Sequence, residues 1–128
     1  MFTYYMPTKV FFGKACVAQS GEVLADLGRK ALLVTGRHSA KVNGSQAAVV
    51  EKLDELGISW FLFDEVENNP SVATIRKAAA FASEKGVDFV IGIGGGSPMD
   101  AAKAIALVCT NELDDEQLFT GPYGKPLP

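Results

Sequence analysis

The chain has 128 residues, with 12 Lys and Arg against 15 Asp and Glu and 48% hydrophobic residues. That length fits one compact domain, and the ordinary balance of apolar and charged residues excludes wholesale disorder. A formal net charge of −3 supplies no electrostatic footprint for nucleic acid, and the longest apolar runs fall well short of the roughly 20 residues that span a bilayer. No basic region followed by an apolar stretch opens the chain, so nothing reads as a signal peptide. Cys16 and Cys109 lie far apart and are expected as buried thiols in a reducing compartment. The expectation is a soluble cytoplasmic domain without a membrane or nucleic-acid partner.

Residues 4–12 are apolar and aromatic but broken by Pro7. They fit an extended segment or a small two-stranded ribbon at a sheet edge. Val17, Val23, Leu24 and Leu27 then predict a helix ending at Gly28. Residues 31–35, 58–63 and 87–93 are short apolar runs bounded by glycine or polar residues, the pattern of buried parallel strands. Between the first two, Ser45 is placed to cap a helix whose Val49, Leu53 and Leu56 recur at helical spacing before Gly57. Between the second and third, Ser71 is placed as the N-cap of a helix with Val72, Ile75, Ala79 and Ala82 on one face, ending at Gly86. The strands begin at 31, 58 and 87, a spacing that matches strand–helix units. Such units wind into a mainly parallel, doubly wound α/β sheet with helices on both faces. After Thr110 the sequence turns polar and proline-rich, and a loop or short helix followed by a tail is expected.

The stretch with chemistry in it joins the third strand to a further helix: Gly94, Gly95, Gly96, Ser97, Pro98, Met99, Asp100, then Ala101, Ala102 and Lys103. Ser97 suits an N-cap, Pro98 the first helical position and Asp100 the third, a start resembling a capping box. Three glycines before a helix N-terminus leave bare N–H groups at its positive end, where a pyrophosphate can approach. A tight turn that binds nothing is the plain alternative. The common fingerprints do not match, because G-x-G-x-x-G would need glycine where Ser97 stands, and no G-x-x-x-x-G-K-[ST] occurs.

The run from Gly94 to Lys103 resembles the G-G-G-S-x-x-D-x-A-K signature of the iron-containing (group III) alcohol dehydrogenases. Met6-Pro7-Thr8, Phe11-Phe12-Gly13, Leu33-Val34-Thr35-Gly36 and Glu67-Asn68-Asn69-Pro70-Ser71 also fall where that family has counterparts, so the resemblance covers nearly the whole chain. It implies an N-terminal Rossmann-like domain, here residues 1–128, that binds NAD(P) and is followed by a helical domain carrying the catalytic metal. By similarity, Gly94, Gly95, Gly96 and Ser97 would hold the pyrophosphate, and Asn69 would lie near the nicotinamide end. Asp100, also counted among the cofactor-binding residues, and Lys103 would face the cleft between domains as support, with an exposed ion pair as their plain alternative. The resemblance also implies a small alcohol or aldehyde substrate and a homo-oligomer joined through N-terminal strands.

In the family, one aspartate and three histidines hold a divalent metal (Fe²⁺ or Zn²⁺). This sequence has a single histidine, His38, which cannot make such a site. The family also continues with a further strand at about the point where this chain ends. The expectation is therefore a cofactor-binding part with no catalytic residue of its own, inactive alone. The alternatives are a stand-alone nucleotide- or phosphate-binding module and a structural α/β domain.

Cofactor preference is expected to favour NADP over NAD. NAD-preferring members of the family often carry aspartate at the ribose-proximal strand end, where its charge repels a 2′-phosphate. Here Gly36 stands in that place and is followed by Arg37, Ser39 and Lys41, two cations and a hydroxyl that can engage the phosphate.

Overall fold

The computed structural model describes residues 1–111, so the polar tail expected after Thr110 lies almost wholly outside the described residues. Three strands, β1 (Lys30–Thr35), β2 (Ser59–Phe63) and β3 (Phe89–Ile93), form one parallel sheet in the order β2-β1-β3. β1 lies in the middle, and every residue from Ala31 to Thr35 is fully buried. A strand covered on both faces has no solvent side, which is why its sequence runs apolar without alternation.

The two crossovers take opposite directions. From β1 the chain passes through α2 (Ser39–Val42) and α3 (Ser45–Glu55) to β2. From β2 it returns through α4 (Val72–Lys85) to β3 on the far side of β1, and α5 (Gly96–Thr110) follows. Right-handed crossovers running in opposite directions must place their helices on opposite faces. The side chains agree. Leu32 and Val34 pack with Ile75 and Ala79 of α4 and with Ala101 and Ile105 of α5. Ala31 and Leu33 face Val49 and Leu53 of α3.

Upstream of β1, the expected single helix is split into a short α1 (Cys16–Ser20) and a 3-10 helix (Gly21–Asp26). Lys52 of α3 accounts for the break. It is only 4% exposed, and its stem lies so close over Gly21 that an added Cβ would meet Lys52 Cγ at 2.5 Å. Its ammonium reaches Glu55 at 3.1 Å and Glu22 at 3.3 Å. These two carboxylates, Glu55 first, raise the Lys52 pKa against the opposing effect of burial.

Several local expectations need correction. Residues 1–12 contain no strand, so no ribbon forms among the described residues, and Phe2, Tyr4, Tyr5 and Phe12 are exposed. Two aromatic stretches broken by Pro7 find no neighbouring backbone to pair with. Ser45 does not cap α3; Asn43 instead accepts from the Ser45 N–H at 2.9 Å. Neither cysteine is buried, Cys16 being half-buried and Cys109 exposed. α4 starts and stops as its sequence predicts: Ser71 Oγ accepts from the Thr74 N–H at 3.2 Å, and Gly86 closes the helix at φ 68°. No described helix is long and apolar enough to cross a membrane.

Candidate cofactor-binding site

The reversal of direction at β1 opens a crevice between the carboxyl ends of β1 and β3, where open α/β sheets receive ligands. Thr35 is in register with Ile93, so Gly36 and Gly94 leave the sheet side by side. The loop after β2 joins them at this end: the Val66 N–H donates to the Thr35 carbonyl at 3.4 Å, and an added Cβ on Gly36 would lie 3.7 Å from the Val66 carbonyl.

The turn after β3 is built on two glycine contacts. A Cβ on Gly92 would meet Ala102 Cβ at 3.0 Å and Met99 Cα at 3.2 Å, so glycine there lets α5 lie directly on the strand. Gly94, at φ 135°, occupies a backbone region that side chains rarely enter, and the Pro98 ring sits against it. Over Gly95 and Gly96 the reverse holds, because nothing lies within 4 Å of the place a Cβ would take. The chain has left this space open.

The helix start differs from the sequence expectation. α5 begins at Gly96 with Gly95 as N-cap and no side-chain cap, so Ser97 is not the cap and Asp100 lies beyond the first turn. Pro98 becomes the third helical residue, where its missing N–H is not needed. With no Cβ at 95 or 96, the helix can start two residues early. The Gly96 and Ser97 amides then have no intrahelical acceptor and stand at the positive end of a 15-residue helix. Asp100 and Lys103 are both exposed and 3.6 Å apart along α5.

The other strand end is made of side chains. Gly36 is half-buried, while Arg37, His38, Ser39 and Lys41 are exposed through the loop into α2. Sequence reasoning missed Asp64, the first residue after β2, whose carboxylate receives Lys41 Nζ at 2.8 Å. The Lys41 hydrogen bond holds the Asp64 carboxyl below the usual carboxylate range, and Arg37 adds to that pull. The signal available in sequence was position: Asp64 follows its strand as Gly36 follows β1.

Asn69 is exposed in the loop before α4 and adopts φ 54°, a region in which asparagine is among the more tolerated side chains. Glu67 pins this loop, accepting from the Ser71 N–H at 2.7 Å and from the Thr74 hydroxyl at 2.7 and 2.9 Å. The Ser71 amide is the main reason its pKa is lowered. Thus residues 36–41, the loop carrying Asn69, and residues 94–97 all lie at the carboxyl end of the sheet. An apolar cavity of about 390 Å³, bounded by Phe11, Val17, Leu24, Val49 and Ile93, opens beside Gly94 on the α3 face; nothing in the sequence pattern pointed to it.

A sequence model of iron-containing alcohol dehydrogenases matches residues 7–128. The chain belongs to that family. Among curated relatives, it is 41% identical over 105 residues to a probable NADH-dependent butanol dehydrogenase 1 of Bacillus subtilis, covering 82% of this chain and 27% of the relative. It is 35% identical over 120 residues to the lactaldehyde reductase of Escherichia coli, covering 91% and 31%. Among solved structures, an iron-containing alcohol dehydrogenase of Thermotoga maritima superposes with a TM-score of 0.88 at 45% identity, covering 93% of this chain and 33% of that one. An NADH-dependent butanol dehydrogenase A from the same organism gives 0.90 at 35% identity, covering 100% and 33%. The chain spans about a third or less of the length of these relatives, and its Rossmann-like α/β fold is the fold of that part of the family. The family's metal does not fit what is described of this chain: among the described residues no three His, Cys, Asp or Glu gather where an ion could be held. His38, the one histidine in the sequence, is exposed at the start of α2.

Proposed function

We propose that this iron-containing alcohol dehydrogenase chain holds a nicotinamide dinucleotide, as the cofactor-binding part of an enzyme that moves hydride between an alcohol or aldehyde and that cofactor. The observation that carries the reading is the open space over Gly95 and Gly96, at the N-terminus of a 15-residue helix with unclaimed amides. Gly94, Gly95, Gly96 and Ser97 would receive the pyrophosphate, and Asn69 would stand toward the nicotinamide. When bound, the cofactor supplies the hydride chemistry. The residues described here bind and orient it and contribute no group to the reaction itself, so the chain alone turns over no alcohol.

Between the two cofactors, the reading favours NADP. Gly36 offers neither a carboxylate nor its repulsion, and Arg37, Ser39 and Lys41 are exposed where a 2′-phosphate would be met. The curated relatives include proteins named NADH-dependent, which makes the preference a point of contrast with them. Calorimetric titration with both dinucleotides tests it. Tighter binding of NADP is expected, and equal or tighter binding of NAD refutes the preference. The exposed aromatic residues of 1–12 support self-association, and light scattering showing a strict monomer at high concentration would reject it. Two free cysteines fit a cytoplasmic setting.

A further inference from the structure

The corner formed by the carboxyl ends of β1 and β2 holds three charged groups: Arg37, Lys41 and Asp64. Lys41 does not face the crevice as a free cation, because its ammonium is 2.8 Å from Asp64 Oδ2. The pair is half-exposed, with side chains 46% and 38% accessible, and such pairs contribute little to folding. It sits beside the one loop whose cations the NADP reading relies on, and Arg37 lies close enough to act on the same carboxylate.

We propose that Asp64 is a specificity-determining residue of the cofactor site: from the end of β2 it holds Lys41 and sets a negative charge beside the 36–41 loop, and so acts against a 2′-phosphate. A phosphate that seeks Lys41 must compete with a carboxylate already bonded to it and meets that carboxylate's repulsion as well. A ribose 2′-hydroxyl carries no such charge, and Asp64 supplies an acceptor in the neighbourhood where Gly36 has none. The corner is therefore balanced between the two cofactors, with Asp64 the weight on the NAD side. This inference rests on the reading that the 36–41 loop faces the 2′ position.

The test is titration of the full chain with NADP and with NAD, comparing wild type, Asp64→Asn, Asp64→Glu, Lys41→Gln and the Asp64→Asn/Lys41→Gln double variant. Asp64→Asn should raise the NADP-over-NAD ratio roughly two- to fivefold, the range left after solvent screening of a half-exposed pair. Asp64→Glu, which keeps the charge, should hold the ratio near wild type. The gain should shrink but persist when Lys41 is also replaced, because no ammonium is then released to the phosphate while the repulsion by Asp64 is still removed. An unchanged ratio in Asp64→Asn, with an unchanged melting temperature, overturns the proposal. If Asp64→Asn fails to fold, Asp64→Ser, which removes the same charge from this half-exposed position, takes its place, and an unchanged ratio in that variant overturns the proposal. The wild-type ratio tests the preference for NADP, whereas its change on substitution tests Asp64, so the two fail separately.

Discussion

The two strand ends that flank the crevice are built in different ways. After β3, the chain offers backbone: glycines without side chains, open space, and amides aimed by a long helix. After β1, it offers side chains on an exposed loop, where two cations are set against a carboxylate from the next strand. Backbone recognition is fixed by packing, because Gly92 and Pro98 decide where the turn lies. Charge recognition on a surface loop can be retuned by one substitution without disturbing the core. On the proposed reading, the common part of the two dinucleotides, the pyrophosphate, would meet the rigid end, and the part that differs would meet the adjustable one.

That contrast can be broken at either end. The largest effect is expected from Gly95→Val, which fills the open space over the turn without meeting a neighbour. It should weaken both cofactors alike, roughly a hundredfold, as the loss of two hydrogen bonds to a charged group at about 1.5 kcal/mol each. The melting temperature should stay near wild type, and retained binding in a folded variant would count against the backbone cradle. Gly92→Val should do the opposite. It forces α5 off β3 and costs about 1–3 kcal/mol of stability by overpacking, read as a fall in thermal midpoint. Arg37→Ala should weaken NADP by about 1–3 kcal/mol and leave NAD nearly unchanged; an equal loss for both would place Arg37 elsewhere. Raising salt should then reduce NADP affinity more steeply than NAD affinity, because exposed charges are screened and packed backbone is not. Parallel salt slopes would remove the distinction between the two ends.

The smallest effect concerns the loop that carries Asn69. Glu67 has a folded pKa below its usual 4.5. Its contribution is therefore complete above that value and is lost as pH falls through the lower folded value. Glu67→Gln should lower the thermal midpoint slightly at neutral pH, and the gap to wild type should close in acid. A gap that persists at low pH would show that the carboxylate charge is not what pins the loop.

Much of this architecture was legible in the sequence because it is local. Residues 31–35 read as a buried strand from their own apolar run, and α4 announced both ends through Ser71 and Gly86. The glycine run was legible as a turn between β3 and a helix, but its helix start was misplaced: Ser97 and Pro98 have strong terminal preferences, and glycines at 95 and 96 let the packing of Pro98 on Gly94 override them. What escaped was non-local. Lys52 reads as a surface lysine until the 3-10 helix is folded over it. Asp64 is one acidic residue among 15 until the sheet order brings β2 beside β1. Residues 4–12 read as an extended segment or a small ribbon, and a ribbon needs a second backbone that is not found among the described residues.

At the opposite end of the sheet, Asp88 lies just before β3 and accepts from the Arg29 N–H at 2.7 Å and the Lys30 N–H at 3.1 Å, while its own N–H donates to the Lys30 carbonyl at 2.8 Å. The amino ends of β1 and β3 are thereby latched together by contacts between residues 58 and 59 positions apart. Local opening follows the path of fewest ties, so the strands part from the ligand side and hinge at the latch. In hydrogen exchange, the Arg29 and Lys30 amides should outlast those of Gly36 and Gly94, and a bound dinucleotide should slow exchange at the open end while leaving the latched end as it was.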